Sequence, residues 1–368
     1  MSEAKIKEYL KLSPVEIFFG RENLQAVDEY TQGGNRLIIT GRNSCKRAPT
    51  QEIMSYFKNK KTFFYSNIDP NPDIDALDEA TSLFREKKIK YIVALGGGSA
   101  IDSAKALSAT LTFDFDAPLS KIFRSGHSVP KFDFLKLCAI PTTSGTGSEV
   151  TPFATIWDKS NGKKHSLSDR RLYPKYTVLV PELTLTLPRE QTLYTALDSL
   201  SHALESIWNK NSSSSIKNLA EFSIELIVIN LVKVLQNPSD LNGRTTLQFA
   251  SMLSGIAISK TKTAIAHSIS YPLTGRYGVP HGLAASFTLL ALLKKCKEAG
   301  FQVLRNQELL ASLNTMLFSF NLAEQISKFA SNEEVLSSVP EMTKSERAEN
   351  FLLEVRTNEI HEIIKLSI

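Results

Sequence analysis

Between Val15 and Val180 the chain alternates short apolar runs with amphipathic stretches, and the alternation stops at Pro181-Glu182. Strand-type runs fall at residues 15–19, 36–40, 62–65, 91–95, 136–140, 154–157 and 177–180. Residues 49–59, 73–88 and 100–110 carry helical spacing between them. Strands separated by helices are joined by crossovers, and crossovers give parallel pairing, so this half predicts an α/β domain. After Pro181 the pattern turns long and helical, over 189–209, 216–236, 245–259 and 283–297, which predicts a helical domain. The serines at 212–215 read as the turn and N-cap of the helix from Ile216. The expected organisation is α/β over 1–182 and all-helical over 183–368. The last third is helical and carries no chemical motif.

Composition narrows the function classes. The chain has 368 residues, 42% hydrophobic and 22% charged, which suits a globular protein with sizeable cores. A net charge of +5, from 43 basic and 38 acidic residues, is too mild to imply nucleic-acid binding. It leaves room for a weak preference for anionic small molecules. Cys45, Cys138 and Cys296 are far apart and form neither a CxxC nor a disulfide framework, so a reducing cytoplasm is expected. The first residues lack an apolar run of signal-peptide length. No apolar stretch reaches the roughly 18 residues of a membrane span.

Two segments have the composition of phosphate loops. Gly96-Gly97-Gly98-Ser99 follows a predicted strand and opens a predicted helix, with Asp102 in its first turn. Glycines allow close backbone approach, and helix N-terminal amides favour an anion such as a pyrophosphate. It is not the GxGxxG fingerprint, and a plain strand-to-helix turn has the same composition. The second segment, residues 142–149, reads TTSGTGSE after another strand. Hydroxyls and glycines at a strand's carboxyl end suit phosphate, ribose or amide groups; a solvated turn is the plainer reading.

A third constellation points to a metal. Asp198 and His202 are spaced i, i+4 and so share a helix face. Leu197, Leu200, Ala203, Leu204 and Ile207 around them make that helix substantially buried, where a carboxylate is costly unless paired or bound to a cation. His267 and His281 follow, and three of the chain's six histidines fall in this set. One carboxylate and three imidazoles suit Fe2+, and accept Zn2+ or Mn2+. Hydrogen-bonded core histidines are the plainer alternative for each residue taken singly.

These residues resemble the iron-containing (group III) alcohol dehydrogenase family over roughly residues 15–290. The resemblance rests on GGGSAIDSAK, PTTSGTGSEVT, DSLSHALE and the pair His267 and His281. It implies a dehydroquinate-synthase-like architecture, with an N-terminal dinucleotide-binding α/β domain, a helical C-terminal domain and an active site in the cleft between them. It implies a homodimer or a larger homo-oligomer. Asp198, His202, His267 and His281 match the metal ligands, and Gly97, Gly98 and Ser99, with Asp102, match the pyrophosphate loop. Thr142 and Thr143 match a cofactor-contacting threonine pair, Lys164 a cofactor-contacting lysine, and Leu185 a residue beside the nicotinamide.

Three positions depart from the pattern. Many members carry an aspartate after the second strand that binds the adenosine ribose; here it is Gly41, with Arg42 and Ser44 following. That change favours NADP over NAD as cofactor, with Arg42 or Ser44 meeting the extra phosphate. A relay histidine of several members is replaced by Tyr271, and a cofactor-contacting asparagine by Phe153. The resemblance thus implies a metal-dependent, NAD(P)H-linked oxidoreductase interconverting a small primary alcohol and its aldehyde. The segment from His267 to Thr274 with Pro280-His281-Gly282 is similar to phosphonoacetaldehyde reductases of the family, and Lys164, His165 and Arg276 suit an anionic aldehyde. The alternative is a dehydroquinate-synthase-like metal- and NAD-dependent lyase; net consumption of NAD(P)H separates the two.

Overall fold

A computed structural model describes residues 3–343 and 346–368. The chain divides into two compact units, Met1–Thr143 with Ser148–Thr186, and Ser144–Gly147 with Leu187–Ile368.

The first unit is built on a six-stranded, wholly parallel sheet. Its strands are β1 (Glu16–Phe19), β2 (Asn35–Gly41), β3 (Thr62–Ile68), β4 (Ile89–Gly96), β5 (Lys136–Pro141) and β8 (Tyr176–Leu179), in the order β1-β8-β5-β4-β2-β3. The central strands read as unbroken apolar runs because both faces are covered. Leu37, Ile39, Ile92, Ala94, Leu137 and Ala139 pack on one face with the helices Ile74–Arg85 and Gly98–Thr110. Ile38, Val93, Leu95, Cys138, Ile140 and Val178 pack on the other with the helices Leu24–Thr31 and Ala48–Tyr56.

From β2 the chain steps outward to β3 at the sheet edge, and β4 then returns on the far side of β2. The strand order therefore reverses between β2 and β4. In open parallel sheets ligands bind outside the carboxyl ends at such a reversal. Gly41 closes β2 and Gly96 closes β4, and a Cβ placed on Gly96 would lie 3.5 Å from the Gly41 amide nitrogen.

The run at 154–157 forms β6 (Phe153–Asp158), but outside the main sheet: it pairs antiparallel with β7 (Lys163–Ser168) in a separate hairpin. Periodicity missed β7 because Leu167 is its one large apolar residue. A strand paired on one side only has no need of an apolar run.

The second unit is helical. Arg189–Ile207, Ser214–Gln236 and Leu241–Thr261 pack together with many hydroxyls in their interfaces. Ser223 Oγ lies 2.8 Å from Ser254 Oγ, and Ser199 Oγ donates to Ser254 Oγ at 3.1 Å. Ser213 caps the second of these helices, accepting from the Ile216 amide, as the serine run predicts. The helix expected over 283–297 is two pieces, His281–Ala284 and Leu289–Glu298. Ser286 Oγ turns back to the Gly282 carbonyl at 2.7 Å between them, a local bond that competes with helix continuation. The helix Ile265–Tyr277 escaped the periodic reading because Pro272 lies inside it. Among the described residues, no helix is long and apolar enough to cross a membrane.

Candidate functional site

The helical unit brings Asp198, His202, His267 and His281 together. The i, i+4 pair lies on the buried face of Arg189–Ile207, His267 comes from the first turn of Ile265–Tyr277, and His281 opens the helix His281–Ala284. All three imidazoles turn Nε2 towards one oxygen, Asp198 Oδ1, at 3.6 Å for His202, 3.4 Å for His267 and 3.9 Å for His281. The donor atoms of Asp198, His267 and His281 lie within 4.8 Å of one another. His202 stacks on His267, with ring centroids 4.7 Å apart.

Burial is uneven around the cluster. The side chains of Asp198, His202 and His267 are 5%, 6% and 3% exposed, whereas His281 is 29% exposed. The open side lies at His281. Asp198 Oδ1 and His267 Nε2 are both buried with no hydrogen-bond partner. Buried polar atoms are normally satisfied, and a buried carboxylate oxygen faced by three imidazole Nε2 atoms has the surroundings of a cation site. The residues fit a divalent metal held by one carboxylate and imidazoles.

Electrostatics point the same way. Burial pushes the Asp198 carboxyl up, but the imidazoles of His202, His267 and His281 outweigh it and hold it below the usual carboxylate range. Burial lowers His202 to about 4 despite Asp198 beside it. His267 is raised to about 10: burial disfavours its charge, and Glu205 and Asp198 overcome that. The cluster thus keeps Asp198 ionised and His202 neutral, the protonation states in which both can ligate a cation.

Two residues that the sequence reading left without a role shape this centre. Glu205, fully buried, places Oε2 2.6 Å from His267 Nδ1 and accepts the His267 backbone amide on Oε1 at 3.2 Å. Its signal was present: a carboxylate one turn beyond His202 in an apolar helix. Gly282 is the other. A Cβ there would sit 1.8 Å from the Tyr194 carbonyl oxygen and 3.1 Å from Asp198 Cβ. Only glycine lets His281 come so close to the helix bearing Asp198. Tyr271 stands one turn after His267, partly exposed.

The segment at 142–149 is divided between the units. Thr142 and Thr143 belong to the sheet unit, and Ser144–Gly147 to the helical one. Gly145 lies against Thr195, where a Cβ would meet the Thr195 carbonyl oxygen at 2.8 Å. Gly147 has φ +61°, and a Cβ on it would lie 2.3 Å from Gly255 Cα. These two glycines serve helix packing.

In the sheet unit Gly97, Ser99, Thr142 and Leu185 follow the carboxyl ends of β4, β5 and β8. Gly97 caps Gly98–Thr110, and a Cβ on it would touch Thr143 Cγ2 at 3.1 Å. Ser99 Oγ accepts the Asn71 amide at 3.3 Å. Thr142 Oγ1 faces Ser44 Oγ at 3.3 Å and accepts from Arg47 at 3.0 Å. Leu185 follows the short turn Pro181–Thr184, half-buried. Lys164, on β7, lies over the Trp157 ring at 5.7 Å. Asp102 gives both oxygens to protein donors, Ser148 Oγ at 2.5 Å and the Thr155 amide at 2.9 Å. Behind it Lys105, fully buried, donates to Ser148 Oγ, Thr151 Oγ1 and the Phe153 carbonyl at 2.8–2.9 Å. A lysine and an aspartate three residues apart among the small residues of this helix were the legible signal for this network.

The model of the iron-containing alcohol dehydrogenase family matches residues 14–181, and that of the family's C-terminal region matches residues 192–367. The chain belongs to the iron-containing alcohol dehydrogenase family. An aldehyde-alcohol dehydrogenase of Streptococcus pneumoniae is 31% identical over 75% of this chain, and the match spans 32% of that longer protein. The chain thus spans about a third of that relative's length. A phosphonoacetaldehyde reductase of Streptomyces viridochromogenes is 37% identical over 60% of this chain and 56% of its own. Among solved structures, an iron-containing alcohol dehydrogenase of Thermotoga maritima is 27% identical, with a TM-score of 0.79 over 96% of this chain and 98% of that one. The parallel-sheet unit and the helical unit are those of the family.

Proposed function

We propose that the chain is a metal-dependent, NAD(P)H-linked oxidoreductase that interconverts a small primary alcohol and its aldehyde. The observation that carries this reading is the convergence of three imidazole Nε2 atoms on one buried oxygen, Asp198 Oδ1, at 3.4–3.9 Å. Family membership and the names of the relatives support it.

Asp198, His202, His267 and His281 would hold Fe2+, with Zn2+ and Mn2+ accepted by the same donors. A divalent ion bound there supplies Lewis acidity to a substrate oxygen, and the nicotinamide supplies the hydride chemistry. The chain's own groups do the rest. Asp198 provides the negative charge that retains a cation. Glu205 holds a proton on His267 Nδ1 and so aims Nε2 at the site. The exposed side of His281 leaves an approach for substrate, as a catalytic rather than a closed structural centre requires. Tyr271, one turn from His267, is assigned the proton relay through its phenol.

Gly97, Gly98 and Ser99 would receive the cofactor's pyrophosphate at the amino end of Gly98–Thr110. Thr142, Thr143, Lys164 and Leu185 would line the rest of its path, with Asp102 in the first turn of that helix holding Ser148 and Thr155. Gly41 favours NADP(H), since no carboxylate stands there to repel a 2′-phosphate. Phosphonoacetaldehyde, reduced to 2-hydroxyethylphosphonate, is the proposed substrate, resting on the His267–His281 region and on the similarity to the Streptomyces reductase. A homodimer or larger homo-oligomer in the cytoplasm completes the reading, in keeping with three unpaired cysteines.

The test is NADPH and NADH oxidation over a panel of aldehydes after loading with Fe2+, Zn2+ or Mn2+. Phosphonoacetaldehyde is expected to outrun butanal. Equal rates discard the anionic substrate. Wild-type turnover and metal content in Asp198→Ala or His267→Ala discard the metal mechanism.

A further inference from the structure

Among the described residues, Arg47 has no carboxylate counter-ion. It precedes the helix Ala48–Tyr56, just after the turn Ser44–Lys46 that leaves β2. Its Nη2 donates to Ser44 Oγ at 2.8 Å and to Thr142 Oγ1 at 3.0 Å, both neutral acceptors. Its Nη1 is buried with no acceptor. Burial lowers its pKa, and no carboxylate opposes that. The other non-exposed arginines of this unit each face an aspartate: Arg36 with Asp28, Arg85 with Asp116 at 3.7 Å, and Arg171 with Asp169 at 2.6 Å. A half-buried guanidinium with an orphaned donor and no anion is costly unless an anion arrives.

Its surroundings say which anion. Thr142 ends beside β4, its amide bonded to the Gly96 carbonyl at 3.0 Å. Ser44 adjoins Gly41, where a Cβ would meet Ser44 Cβ at 3.8 Å and the Ile68 carbonyl oxygen at 4.0 Å, ordinary contacts. Gly41 is also not among the positive-φ glycines. Neither space nor backbone requires a glycine at 41; what it removes is a side chain next to Ser44. Arg42, which follows Gly41 directly, is already engaged by Asp69 at 3.2 Å and by Asn67. Of the two arginines that follow β2, the one with no carboxylate partner among the described residues is therefore Arg47, half-buried where Lys46 is exposed. In nucleotide-binding α/β folds the residues after this strand meet the adenosine ribose, where a carboxylate takes its hydroxyls and an arginine takes a 2′-phosphate.

We infer that Arg47, with Ser44, binds the 2′-phosphate of the nicotinamide cofactor and is the residue that makes the chain select NADP(H) over NAD(H). This rests on the nicotinamide reading above. A phosphate monoester supplies the acceptors that the fork of a guanidinium is shaped to meet, and the Ser44 hydroxyl adds a further donor.

The experiment measures affinities for NADP+, NAD+ and adenosine 2′-monophosphate by calorimetry in the wild type, Arg47→Gln and Arg47→Lys. The wild type is expected to bind NADP+ more tightly than NAD+. Arg47→Gln should lose about 10–100-fold for NADP+ and the 2′-monophosphate, with NAD+ changed less than about twofold, and Arg47→Lys should fall between. Equal losses for both cofactors would assign Arg47 a structural role and overturn the inference. So would an NADP+ preference untouched by Arg47→Gln, or a wild type that prefers NAD+; each leaves the nicotinamide reading standing. Binding of neither dinucleotide would overturn both.

Discussion

Glu205 Oε2 lies 2.6 Å from His267 Nδ1, and both residues are shut away from water. The contact fixes which ring nitrogen carries the proton and which one faces Asp198. Partners of this kind are worth about 10–100-fold in metal affinity. Glu205→Gln keeps the volume but lets the amide compete for either tautomer. It is expected to weaken Zn2+ or Fe2+ affinity by about that factor, read by competition with a chelator, with little change in helix content. Unchanged affinity would leave Glu205 as core packing only.

Gly282 holds the opposite wall. A Cβ at this position would stand 1.8 Å from the Tyr194 carbonyl oxygen, so the backbone bearing His281 must retreat from the helix bearing Asp198. Gly282→Ala is predicted to destabilise the protein by about 3 kcal/mol. Bound metal should fall at a temperature where the remaining fold persists. A variant with wild-type metal content and melting temperature would contradict the close approach.

What the sequence disclosed and what it hid divide along physical lines. Asp198 and His202 were legible because helical spacing alone places them on one face. His267 and His281 were legible through rarity and resemblance, but their common focus needed the backbone path that Gly282 permits. The main sheet was legible because strands covered on both faces read as apolar runs. β7 was hidden because a polar hairpin strand does not. Arg42 drew attention by adjacency to Gly41, whereas an arginine's reach lets Arg47, six residues on, occupy the corner with Ser44 and Thr142. The glycines at 145 and 147 resembled phosphate-loop glycines; their steric reason, Thr195 and Gly255, lies far off in sequence.

Tyr271 offers a test of the proton path. It lies one turn from His267, and its phenol is the group assigned to stand where related chains carry a histidine. Tyr271→Phe removes one hydroxyl. Turnover is expected to fall by about 10²-fold or more, while metal content and cofactor affinity stay at wild-type values. Tyr271→His should recover part of the loss. Turnover unaffected by the phenylalanine would move the relay to another group.

The buried network behind the glycine loop sets a pH dependence of stability. Burial raises the Glu149 carboxyl from 4.5 to about 7, with Lys105 offsetting part of the effect. The folded chain therefore keeps a proton on Glu149 over a range in which the unfolded chain has released it. The stabilisation is fully present below pH 4.5, declines as pH rises through 7, and is absent above. Lys105 acts at higher pH: burial lowers it from 10.5 to about 8, so the unfolded chain holds the extra proton between those values and stability rises with pH there. Asp102, also raised by burial, declines in the same direction as Glu149. Glu149→Gln carries no titrating proton. It should match the wild type near pH 4.5 and exceed its stability at pH 7.5 by about 1–3 kcal/mol, measured from urea midpoints at both values. Parallel curves for the two proteins across that range would mean that Glu149 stays ionised in the fold.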